Sequence, residues 1–158
     1  DDIQKICLLA HTFPPHANEG RVIEEFLVRF SKEERGRLIA VTSKINQIRS
    51  RFILGSGMFT ITGRMHAAIS TFQMGKPAIS LSYSAKYQGV IGINLDRGDL
   101  IIESNNPNLW DSGEIVKLVM DRVDYIFNNY ETLTVSIKDK VEQQIEIVDS
   151  CFDRIINK

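Results

Sequence analysis

Residues 58–83 read MFTITGRMHAAISTFQMGKPAISLSY, and the order of elements within them decides the fold. Residues 58–62 (MFTIT) form a short β-rich run. After Gly63, residues 64–74 carry small and apolar side chains at helical spacing. Gly75-Lys76-Pro77 stops that helix, because proline cannot continue it. Residues 78–83 (AISLSY) are a second β-rich run. Strand, crossover helix and strand make a βαβ unit, and such a unit requires parallel strands.

The same alternation extends in both directions. Upstream, residues 5–11 (KICLLAH) are almost continuously apolar, as a strand buried on both faces would be. Residues 19–32 place Val22, Ile23, Phe26, Leu27 and Phe30 on one helical stripe. Residues 37–42 (RLIAVT) read as a buried strand, and 45–54 as a short helix closed by Gly55 and Gly57. Downstream, 87–93 suit a short helix and 100–103 (LIIE) a fifth strand. Asp111-x-x-Glu114 resembles a capping box that opens a helix to about residue 128. From about residue 130 a second helical pattern carries Val141, Ile145, Val148, Phe152 and Ile155 in a narrow apolar seam. That seam either packs on the chain's own sheet or docks against another domain. The fold class expected is α/β, a Rossmann-like parallel sheet flanked by helices over residues 1–128, followed by a C-terminal helical segment over 129–158.

Composition bounds the function. At 158 residues, with 43% hydrophobic and 25% charged side chains, the chain suits one soluble domain. Nineteen basic residues against twenty acidic ones give no bulk attraction to nucleic acid or to an anionic membrane. No nucleic-acid partner is expected, and an anionic ligand needs a local site. No apolar stretch reaches the ~20 residues of a membrane span. Cys7 and Cys151 form neither a CxxC nor a Cys/His cluster, so two buried free thiols in a reducing compartment are expected. An apolar run from Ile3 to Ala10 opens almost at once without an initiator Met, which suggests a piece of a longer protein. The expected location is the cytoplasm, including the inner face of its membrane.

In open parallel sheets, ligands bind beyond the carboxyl ends of the strands. His11, Thr12 and His16 follow the first strand, Gly63, Arg64 and His66 the third, and Ser82, Tyr83, Ser84, Lys86 and Tyr87 the fourth. In Thr62-Gly63-Arg64-Met65-His66, a glycine allows a close turn and a helix starts with Arg and His in its first turn. A helix N-terminus suits an anion and disfavours a cation by ~0.3–1 kcal/mol. A charge-assisted hydrogen bond is worth about 1.5–3 kcal/mol, so an Arg gripping a phosphate or carboxylate there more than recovers its cost. Without such a ligand, Arg64 reads as a surface side chain and His66 as a hydrogen-bonded, semi-buried one.

Residues 61–89, ITGRMHAAIS…GKPAISLSYSAKYQG, resemble the signature of the polysaccharide pyruvyl transferase family. There an R-x-H opens a helix of small residues, a G-x-P leads into the next strand, and a K-Y pair follows. The run LLAHTFPP (residues 8–15) is similar to a family strand that ends in His. The resemblance covers about residues 5–125. It implies the C-terminal half of a GT-B-like two-domain bacterial transferase, with an N-terminal domain elsewhere in the same enzyme. It further implies transfer of pyruvate from phosphoenolpyruvate to hydroxyls of a saccharide acceptor, free or lipid-linked, in polysaccharide biosynthesis.

By the same resemblance Arg64 and His66 contact phosphoenolpyruvate, His11 is the strand-end His, and Lys86, Tyr87 and Ser84 complete the donor site. His66 is the candidate for proton transfer, because an imidazole titrates near neutral pH without special tuning. No cofactor beyond the donor substrate is implied, and no metal. Two other readings stay open: a GT-B glycosyltransferase or sugar-nucleotide enzyme, and a non-catalytic interaction module. A dinucleotide-binding domain is disfavoured, since His11-Thr12-Phe13-Pro14-Pro15 stands where GxGxxG would be needed.

Overall fold

The computed structural model describes residues 4–156. Ile3, with which the first apolar run opens, and residues 157–158 of the C-terminal segment lie outside the described residues. The chain divides between Gln47 and Ile48 into two compact units. The strands of the described residues fall into two sheets, β1-β2 and β3-β4-β5, and within each sheet every pairing is parallel, as the βαβ pattern requires.

In the first unit β1 (Ile6–Leu9) pairs with β2 (Leu38–Val41), in register from Ile6 opposite Leu38 to Leu9 opposite Val41. The crossover holds α1 (Glu19–Leu27) and α2 (Lys32–Arg35) instead of the single helix expected over 19–32. Ser31 and Glu34 form a reciprocal capping box, so the sequence carries a helix start inside what apolar periodicity alone reads as one helix. The Arg35 guanidinium donates to the Phe30 and Val28 carbonyls at 2.9 and 3.1 Å and closes the turn between the helices. Asn18 caps α1, its side chain accepting from the Gly20 and Arg21 amides. Ile6 and Ile39 are exposed, not buried on both faces as expected. A two-stranded sheet with two short helices has too few side chains to cover both faces.

In the second unit α3 (Gln47–Ser56) precedes β3 (Thr60–Thr62), α4 (Met65–Gln73), β4 (Ala78–Ser82) and β5 (Ile101–Glu103). Gly55 lies inside α3 instead of closing it. A Cβ there would meet the Met74 side chain at 2.7 Å, so the glycine serves close packing. α4 ends as expected: Gly75 takes φ +70°, its amide donates to the Phe72 carbonyl, and Lys76 N donates to Thr71 O. β4 is the central strand, and its nearly continuous burial fits the parallel-sheet reading. Residues 88–93, expected as a short helix, form a π-helical turn.

The core gathers Phe72 from α4, Ile79 from β4, Tyr87, Ile91, Leu100, and Ile126 and Ile137 from the last helix. α5 (Pro107–Asp111) occupies the stretch expected to begin a capping box, with Asp111 as its last residue. α6 (Glu114–Ile156) follows, its geometry broken at Asn129 (φ −126°, ψ 16°). Leu133 and Ile137 still face the core and Val141 is partly buried against it, whereas Ile145, Val148, Phe152 and Ile155 are exposed. The seam therefore leaves its own unit after Val141. Both cysteines are exposed free thiols, contrary to the buried pair expected, although partial burial still pushes the Cys7 thiol up. No helix among the described residues is long and apolar enough to cross a membrane.

Candidate functional site

In the first unit, His11 follows β1 and is exposed. The turn it opens is closed from below by Glu19, the first residue of α1. Glu19 Oε2 accepts from the His11 amide at 2.7 Å and from the Thr12 amide at 3.1 Å. A protein carboxylate thus occupies amides that a dinucleotide fold would turn towards a pyrophosphate. Sequence reasoning missed Glu19, and its signal was an acidic residue in a helix's first turn directly after a strand-end loop. Gly20 has no room for a side chain, since a Cβ would lie 2.3 Å from the Thr42 carbonyl oxygen.

The remaining candidates belong to the second unit and cluster at the carboxyl ends of β3 and β4. Arg64 is the N-cap of α4 in extended geometry (φ −102°, ψ 110°), and its side chain makes no capping bond. Its amide donates instead to Thr62 Oγ1 at 2.9 Å, so the last residue of β3 fixes the turn. His66 stands in the first turn of α4 and is exposed, as is Arg64. Gly63 is not required by backbone conformation: its φ is not positive, and a Cβ would meet only the Leu81 carbonyl oxygen at an ordinary 3.8 Å.

The loop after β4 meets this turn through Tyr87. The Tyr87 ring is 1% exposed and belongs to the core, while its hydroxyl donates to the Gly63 carbonyl at 2.7 Å. Tyr83 stacks edge-on against Tyr87, 5.5 Å between ring centres, and is itself exposed. Burial and the Tyr83 phenol push the Tyr87 pKa up, while the Met65 amide and the Arg64 guanidinium pull it down; the net shift is upward. Tyr87 therefore stays a neutral donor at physiological pH. The Tyr87 hydroxyl thus joins residues 63–66 to residues 83–87, through the Gly63 carbonyl and the Met65 amide.

Within the second loop Ser82 Oγ donates to Ser84 O at 3.0 Å, and the Tyr87 amide donates to the same carbonyl at 3.3 Å. Ser84 Oγ is buried and makes no hydrogen bond within the protein. Lys86 is exposed. At the end of β5, Glu103 is exposed and Ser104 donates to Ser82 O through both its amide and its hydroxyl, at 2.8 and 3.0 Å. The strand ends thus offer a carboxylate besides the Arg, His and Lys expected.

No group of three or more His, Cys, Asp or Glu able to hold a metal occurs among the described residues. A depression of about 550 Å³ runs along α6, lined by Glu131, Val135, Asp139 and Gln143 among others, and includes none of the strand-end residues. It is an open helix face; the strand-end cluster, with its converging loops and orphaned hydroxyl, is the chemically richer place.

This chain is 26% identical over 112 residues to the amylovoran biosynthesis protein AmsJ of Erwinia amylovora. The match covers 71% of this chain and 25% of that protein, so the chain spans about a quarter of the relative's length. No family model matches the chain. No solved structure matches it either. The similarity is a distant one to a polysaccharide biosynthesis protein.

Proposed function

We propose that this chain is the donor-binding part of a transferase that moves pyruvate from phosphoenolpyruvate onto saccharide hydroxyls as a ketal. The observation that carries the reading is the Tyr87–Gly63 hydrogen bond. It ties the turn before α4 to the loop after β4, at strand ends that the β3–β4 pairing makes neighbours, and parallel sheets bind ligands at such ends. The distant likeness to an amylovoran biosynthesis protein supports a saccharide context.

In the reaction the methylene carbon of phosphoenolpyruvate takes a proton and becomes the ketal methyl group. The central carbon forms bonds to two sugar oxygens, its bond to the phosphate oxygen breaks, and inorganic phosphate leaves. One hydroxyl proton balances the proton given to the methylene, and the other departs with phosphate. The donor is an anion at both ends, so fixed cations are needed. Arg64 grips one end in a bidentate fork that Lys could not provide, assisted by the positive end of α4. Lys86 serves the other end, Ser84 Oγ supplies a hydroxyl, and His66 supplies the methylene proton.

Calorimetric titration with phosphoenolpyruvate, run beside a UDP-sugar and repeated on Arg64→Ala, tests this. Binding that weakens at least about tenfold in the variant is expected, the loss of one charge-assisted contact; equal donor binding by both proteins would sink the assignment. The second reading is a sugar-nucleotide site, favoured by one observation: exposed Glu103 at the end of β5 could take ribose hydroxyls. Preference for the UDP-sugar would select it.

A further inference from the structure

Trp110 is the chain's single tryptophan, and it is 52% exposed. Its exposure is not that of a loose side chain. It sits on α5, which starts at Pro107 behind an Asn106 cap, and whose Leu109 packs against the core. Gly113, at φ +75°, turns the chain sharply into α6, and its amide donates to the Trp110 carbonyl. The indole Nε1 donates to Ser104 O at 2.8 Å, and Ser104 is bonded in turn to Ser82 O at the end of β4. The ring is therefore fixed beside the carboxyl ends of β4 and β5, and its one polar group is already used. What it offers solvent is an aromatic face.

The surroundings decide what such a face can take. Between Arg97 and Lys117 the sequence holds Asp99, Glu103, Asp111 and Glu114 and not one Lys or Arg. Asp99 is engaged by the Tyr125 hydroxyl and paired with Arg97 at 3.7 Å, which leaves Glu103 and Asp111, both exposed, as are Asn105 and Asn108. Carboxylates without a cation repel a phosphate or a nucleotide, while carboxylates and amides together bond well to hydroxyl groups. An electron-rich ring face attracts the slightly positive C–H groups on the flat side of a sugar ring. Exposed polar acceptors in the same short segment as one exposed ring face fit an uncharged, polyhydroxylated ring.

From these observations we infer that Trp110, with Glu103, Asn105, Asn108 and Asp111, is a saccharide-binding subsite that stacks an uncharged pyranose on the indole. The choice of saccharide rests on the reading proposed above, of which this would be the acceptor side. The anionic donor goes to the cationic loops after β3 and β4, and the neutral acceptor to the cation-free segment at β5.

The lone tryptophan supplies the assay. The chain is titrated with methyl β-D-galactopyranoside and methyl β-D-glucopyranoside while Trp110 emission is followed. A saturable change in the millimolar range is expected with at least one of them. Calorimetry on Trp110→Ala should then show affinity lower by about tenfold or more, with Trp110→Phe, which keeps a smaller ring, in between. No saturable emission change up to about 100 mM, or equal affinity in the alanine and phenylalanine variants and the parent, overturns the subsite. A larger response to UDP than to either glycoside overturns it in favour of a nucleotide base. Phosphoenolpyruvate binding is measured separately on the unsubstituted chain. A glycoside signal without donor binding fails the donor reading and keeps the subsite; donor binding without a glycoside signal fails the subsite alone.

Discussion

Replacing Tyr87 by phenylalanine removes one oxygen atom and leaves a core ring in place. The ring is 1% exposed and packs with Phe72, Ile79 and Ile91, so the variant should fold. The deleted hydroxyl donates at 2.7 Å to the Gly63 carbonyl. Gly63 is exposed, so its carbonyl regains a water partner and escapes the larger penalty of a buried orphan. The net loss should therefore lie in the range of an ordinary neutral hydrogen bond, about 0.5–1.5 kcal/mol.

If that bond holds the start of α4 against the loop after β4, the loss falls on local opening of residues 63–68. The energy corresponds to a roughly two- to twelvefold rise in the opening equilibrium. Amide exchange at residues 65–68 should accelerate by that factor, while amides of β4 change only as global stability does. Phosphoenolpyruvate affinity should fall by no more than the same factor. Unchanged exchange at those amides would refute the reasoning whatever the donor affinity did, because the hydroxyl would then hold nothing. The Tyr87 pKa is raised in the fold by burial and by Tyr83. Its stabilisation is accordingly full below the ordinary phenol value and lost as pH rises through the raised one. The phenylalanine variant should lack that part of the alkaline loss.

Four further outcomes are expected. His66→Ala should lower kcat by ~10²–10⁴ if the imidazole delivers the methylene proton; a change confined to KM would make His66 a binding group. Gly20→Ala should destabilise by about 1–3 kcal/mol, because the new Cβ would lie 2.3 Å from a backbone oxygen of β2's exit. Gly63→Ala should be neutral or stabilising by up to ~1 kcal/mol, since a Cβ there meets only an ordinary contact; thermal denaturation of the two variants side by side checks the contrast. Ser31→Ala should flatten the acid limb of the stability profile only in part, because the residue-31 amide, the larger of the two contacts, remains. The Ser31 amide and hydroxyl hold the Glu34 carboxyl below its usual 4.5. Their stabilisation is present above that value and disappears as pH falls through the lowered one.

The second unit was legible because its strands are short apolar runs bounded by chemistry that leaves little choice. Gly75 takes the left-handed conformation that ends α4, and Pro77 forbids its continuation. The first unit was less so, because two signals competed. The Val22–Phe30 stripe favoured one helix, and Ser31-x-x-Glu34 started another. The local capping energy won where the stripe had little core to bury itself in, with Val22 and Phe26 exposed. Glycines were misread in the same direction. Gly55 and Gly63 looked like punctuation, yet one is a packing contact with Met74 and the other is demanded by no backbone angle. Periodicity reports which face is apolar; whether anything covers that face is decided by distant residues, and the bare continuation of α6 beyond Val141 shows the difference.

For the candidate site, the sequence could name Arg64 and His66 by their place at a helix start, but not the bond that sets them. Tyr87 lies 24 residues from Gly63, and no local pattern connects a K-Y pair to a turn on the neighbouring strand. The structure adds an order to the edge of the sheet. Following β3, β4 and β5 across it, the exposed charges run from Arg64 through Lys86 to Glu103 and Asp111. A site for a single anion has no use for carboxylates at one end, and a neutral-sugar lectin has no use for an Arg at a helix N-terminus. An edge cationic at β3 and β4 and acidic beside an aromatic face at β5 suits two different ligands in adjacent positions. Pyruvyl transfer from an anionic donor to a neutral sugar has that requirement, and it is why the donor and glycoside titrations are to be read as a pair.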